Sequence, residues 1–99
     1  MALKVRLHRR ARADLRSIHD FLIQSASARA ADRVRAHLWQ RITQLSRLPH
    51  MGVVTSERRI RILAPTRYPY RIYYTVQRNE VAILHIRHTA RQAPEDLGL

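Results

Sequence analysis

The residues best equipped for chemistry gather in the second half of the chain: Arg59, Arg61, Arg71 and Arg87, interleaved with Tyr73, His85 and His88. Arginine presents a planar fork of donors that grips carboxylate or phosphate bidentately and stacks on rings, and histidine changes charge near neutral pH and can move protons or bind metal. His85 and His88 stand three apart, which on a strand sends them to opposite faces, so they are not expected to serve one site or chelate one metal. His8, His19, His37 and His50 are scattered without ligand spacing, and Glu57 is the only acid between the central helical stretch and the last strands. The chain has no cysteine, which excludes disulfides, thiolate metal sites and a cysteine nucleophile. No metal site and no cofactor are therefore expected, and an anion grip built from arginine is.

Whether the arginines share a face depends on the elements that carry them. Leu3 to His8 alternates apolar with polar and reads as a half-buried strand. Ala11, Leu15, Ile18 and Leu22 then recur at helical spacing over about residues 10–24, with Arg10 and Asp14, and Arg16 and Asp20, set as surface pairs at i,i+4. Ser27 is placed to cap a second helix whose stripe is Ala31, Val34, Leu38, Ile42 and Leu45. The short connection makes the two an antiparallel hairpin. Pro49 and Gly52 end the second helix, and three strands follow, at about 59–63, 70–77 and 80–87. The expected fold is α+β, β-α-α-β-β-β, with a helical hairpin on a mainly antiparallel four-stranded sheet. Residues 1–91 form one domain and 92–99 a loose tail.

The helices cover one face of the sheet, and on the Tyr70 strand the apolar set is Ile72, Tyr74 and Val76, leaving Arg71, Tyr73 and Thr75 on the other. A two-residue turn at Arg78-Asn79 puts Val81, Ile83 and His85 under the helices and buries an imidazole. A three-residue turn through Glu80 puts Ala82, Leu84 and Ile86 there, and is preferred because it buries no polar group. In that register Arg71, Tyr73, His85 and Arg87 share the open face, joined by Arg59 and Arg61 if Ile60 and Ile62 face the helices. The plain alternative is a solvated sheet face that is merely basic.

Nineteen Lys and Arg against seven Asp and Glu give +12, and eighteen of the nineteen are arginine. Such a charge calls for an anionic macromolecular partner. The apolar runs are too short to span a bilayer and the N-terminus lacks a secretory signal, so a cytosolic protein without a membrane partner is expected.

The order of elements, the Leu48-x-x-Met51-Gly52 helix end, the strand Tyr70-Arg71-Ile72-Tyr73-Tyr74-Thr75-Val76, and Val81-x-Ile83-Leu84-x-Ile86-x-His88-x-x-Arg91 together resemble the RelE/ParE superfamily of bacterial toxins, the ParE branch in particular. The resemblance implies the toxin of a type II toxin-antitoxin pair. Its partner would be a ParD-like antitoxin with a ribbon-helix-helix part and an acidic, amphipathic C-terminal segment that folds along the toxin. Phe21 and Trp39, off the main core stripes, are either peripheral core or contacts to that segment.

Two mechanisms divide the superfamily. ParE-type members inhibit DNA gyrase and trap it on cleaved DNA, whereas RelE-type members cut messenger RNA in the ribosomal A site. Cleavage by 2′-hydroxyl attack needs a base, an acid and cations for the developing charge, and Arg71, His85 and Arg87 are the residues that could supply them. RelE-like nucleases usually add a lysine-rich middle and a tyrosine near the end of the last strand; here no lysine follows Lys4 and no tyrosine follows Arg87. The expected protein is thus a non-enzymatic gyrase inhibitor, with a metal-independent, ribosome-dependent endoribonuclease as the alternative and a plain nucleic-acid-binding module as a third reading. In the ParE pattern His88 is expected to fix the strand end through backbone bonds, and Arg91 to cap that corner or reach the partner.

Overall fold

The computed structural model describes residues 2–57 and 59–90. Along the chain run β1 (Lys4–Leu7), α1 (Arg9–Ser25), α2 (Ala28–Arg47), β2 (Val53–Val54), β3 (Arg61–Leu63), β4 (Tyr70–Gln77) and β5 (Glu80–His88). The five strands form one sheet in the order β1-β5-β4-β3-β2. β1 lies parallel to β5 and the other pairs are antiparallel. The α+β fold therefore has the expected elements plus a two-residue edge strand, β2. Arg91 and the proposed tail, 92–99, lie outside the described residues.

Both helices begin on side-chain caps. The His8 ring accepts the Arg10 N–H at 3.1 Å, and the Ser27 hydroxyl accepts the Ala30 N–H at 3.0 Å. The α2 stripe is buried at all five positions, Ala31, Val34, Leu38, Ile42 and Leu45. On α1 only Ala11 is fully buried, while Leu15, Ile18 and Leu22 border the core. Tyr70, Ile72, Tyr74, Val81, Ile83 and Ile86 supply the sheet side of this core.

A second, smaller cluster occupies the opposite face, where Ile60 and Tyr73 are buried with Ile62 and Leu84 against them. Ile60 and Ile62 thus face away from the helices, contrary to the arrangement that would place Arg59 and Arg61 together on the open face. The strand begins at Arg61, because Ile60 is tied back just before it, its C=O accepting the Thr55 N–H at 2.9 Å.

The β4–β5 hairpin corrects the expected register. Gln77 pairs with Glu80, so the turn is the two-residue Arg78-Asn79, with Arg78 rather than Asn79 at positive φ (52°). Val81 and Ile83 consequently enter the core, and Ala82 and Leu84 lie on the other face. The register then shifts by one residue: Tyr74 pairs with Ile83, but Tyr73 with His85. This bulge returns Ile86 to the helical face, opposite Ile72, and leaves His85 re-aimed.

Candidate functional site

β1 ends at Leu7, opposite Ile83, so beyond Ile83 β5 is paired with β4 on one side and has no strand on the β1 side. α1 takes that place. Asp14 reaches across from the helix, and its Oδ2 accepts both the Ile86 N–H at 2.9 Å and the Nδ1–H of His85. Its carboxylate satisfies a sheet edge and a buried imidazole together, which is why His85 can be 3% exposed. This overturns the surface pairing of Asp14 with Arg10.

With its proton on Nδ1, His85 offers Nε2 as an acceptor, and Arg87 Nη1 lies 3.4 Å away. Burial pushes the His85 pKa below the ordinary 6.5; Asp14 opposes the shift, while Arg10 and Arg87 add to it. The imidazole is therefore held neutral. It is engaged at both nitrogens and turned from the open face where it was expected.

Around this pair lies a cavity of about 880 Å³. Arg10, Ser17 and Phe21 line it from α1, Tyr70 from β4, and Arg87 and His88 from β5. His85 and His88 border the same cavity, contrary to the expected separation, because it follows β5 over every residue from His85 to His88. His88 accepts the Ala90 N–H on Nδ1 at 3.0 Å, which leaves Nε2 as its donor, and its ring meets Tyr70 edge-on at 5.3 Å. Phe21, at the rim, is 64% exposed.

A second concavity, of about 660 Å³, runs along the free side of β1. Val5, Leu7, Leu15 and Trp39 make it apolar, and Arg6, Arg12, Arg16 and Arg35 surround it with positive charge. None of these four arginines was read as a site residue in the sequence, where Arg16 figured only as a surface partner of Asp20. Their signal was β1 alternation and spacing on the polar sides of the two helices.

The expected basic face is only partly assembled. Arg71 and Arg87 are cross-strand neighbours, and Arg59 borders a concavity of about 630 Å³ with Glu57, Thr75 and Leu84. Tyr73 is sealed at 1% exposure beneath the small apolar cluster. Arg61 leaves the group: its Nη1 donates to the Gly52 carbonyl at 2.8 Å and the His50 carbonyl at 3.3 Å. There it helps hold the segment after α2, beside Tyr74, whose hydroxyl donates to Pro49 C=O and accepts from Gly52 N–H, both at 2.8 Å.

The fold has counterparts. A family model described as the ParE toxin of the type II toxin-antitoxin system, parDE, matches residues 5–93. The structure resembles a chain of the chromosomal ParDE toxin-antitoxin system from P. aeruginosa, with a TM-score of 0.79 and 21% identity over 88% of this chain and 96% of that one. It also resembles a chain of the RelBE2 toxin-antitoxin complex from Mycobacterium tuberculosis, with a TM-score of 0.64 and 21% identity over 89% and 99%. No curated protein sequence matches the chain. A family match that runs from β1 to beyond β5, over a fold shared with both structures, makes this chain a member of the ParE toxin family of type II toxin-antitoxin systems.

Proposed function

We propose that this toxin inhibits DNA gyrase and is neutralised by a ParD-like antitoxin whose acidic C-terminal segment lies along the groove beside β1. The observation that carries the antitoxin contact is the groove itself, apolar along Val5, Leu7, Leu15 and Trp39 and ringed by Arg6, Arg12, Arg16 and Arg35. An amphipathic acidic segment matches both features, trading its ordering entropy for apolar burial and charge-assisted bonds. The free edge of β1 adds unpaired backbone groups for an extended stretch to meet.

Membership of the ParE family supports gyrase as the target, and the state of His85 favours inhibition over RNA cleavage. An imidazole bonded on both nitrogens and 3% exposed is poorly placed as a general base. Gyrase and antitoxin both put the site of action in the cytoplasm. Purified toxin added to gyrase and supercoilable plasmid is expected to block supercoiling or to accumulate cleaved complexes, and an acidic antitoxin peptide is expected to reverse this. Untouched gyrase together with cleavage of ribosome-bound message would refute the reading in favour of the endoribonuclease.

A further inference from the structure

We propose that the cavity between α1 and the bulged end of β5 binds single-stranded nucleic acid, with a backbone phosphate held by Arg10 and Arg87 and a base stacked on Phe21. Three features converge there. Arg10 from α1 and Arg87 from β5 both line it, with Arg87 Nη1 3.4 Å from the His85 imidazole. Ser17 and His88 Nε2 add neutral donors. Phe21 stands one helical turn beyond Ser17, at the rim, with most of its ring in solvent.

The Asp14–His85 pair gives the site its form. Asp14 fixes the imidazole proton on Nδ1, and Nε2 then accepts from the Arg87 guanidinium, so the cation is presented by a preorganised chain of bonds. A bulge that turns a histidine into a charged cavity is the kind of device that re-aims a side chain at a site.

Cations beside an exposed aromatic ring are the combination that binds unpaired strands, since every base has a face to stack. The shape selects against duplex. Duplex is read by elements that project into its grooves, whereas here Arg10 and Arg87 line a concavity of about 880 Å³, within the range of pockets that hold small ligands.

The test is fluorescence anisotropy with a labelled single-stranded oligonucleotide of about a dozen nucleotides, across a salt series and without gyrase, so this reading and the gyrase reading fail separately. Phe21→Ala is expected to weaken binding roughly 5- to 100-fold with the salt slope unchanged. Arg10→Gln is expected to reduce that slope by about 0.7. Both side chains are exposed, so both variants should fold. Wild-type binding that neither change alters, or equal affinity for the duplex of the same sequence, overturns the proposal. So does a labelled polyglutamate peptide that binds more tightly and loses the same factors on both substitutions, since the cavity is then a peptide site.

Discussion

Burying an imidazole is costly unless its nitrogens find partners, and His85 finds Asp14 on one side and Arg87 on the other. Because burial, reinforced by Arg10 and Arg87, lowers its pKa from 6.5 in spite of Asp14, the folded protein binds this proton less readily than the unfolded chain. The stability from neutral His85 is therefore fully present above pH 6.5 and is lost as pH falls through the lowered value. Denaturant titrations from neutral to mildly acidic pH should show this decline, and His85→Gln should flatten it. An equally steep decline in the variant would assign the effect to other groups. Asp14 was unreadable as its partner because the two lie 71 positions apart, while Arg10 four residues away offered a ready local pairing. Phe21 and Trp39, in contrast, were legible as residues off the core stripes, and both are exposed.

At the scale of elements, Gly52 joins the end of α2 to the sheet. A Cβ there would lie 2.5 Å from the Tyr74 hydroxyl, 2.7 Å from its ring and 2.9 Å from the Ile62 carbonyl. Glycine is needed here for this close approach rather than for a left-handed turn. Gly52→Ala should cost about 1 to 3 kcal/mol by overpacking, seen as a lower thermal midpoint by roughly 4 to 8 °C per kcal/mol. A midpoint unchanged within error would mean that the tyrosine ring can move aside. The helices were legible because a 3.6-residue apolar period has one solution, and the α2 stripe is buried as read. The hairpin was less so. Its alternation admits two registers, and β5 uses one near the turn and the other beyond the bulge. Sequence weighed the buried histidine as a cost without seeing the carboxylate that offsets it.

For the whole molecule, +12 on 99 residues opposes compaction. Among the described residues Arg6 pairs with Glu80, but seven acids cannot offset nineteen Lys and Arg, so most of the positive charge has no carboxylate to meet. Raising salt from about 0.1 to 1 M shortens the screening length from about 10 to 3 Å, and the thermal midpoint of the free toxin should rise. A fall would show that the few surface pairs outweigh the self-repulsion. Family membership was legible at this scale, because it rests on the order of elements and on spacings spread along the chain, which survive a wrong register in one hairpin. The groove beside β1 was not, because residues 5 to 39 meet there only once the helices fold back. β1 also carries a consequence for biosynthesis. Among the described residues its only strand partner is β5, so Lys4 must wait for Glu80. At about 5 to 20 residues per second, β1 spends several seconds unpaired, and this side of the sheet closes only after residue 80 has been made. An interrupted translation product that stops before residue 80 would leave the β1 groove without its sheet, so premature release yields an inert fragment rather than a partial toxin.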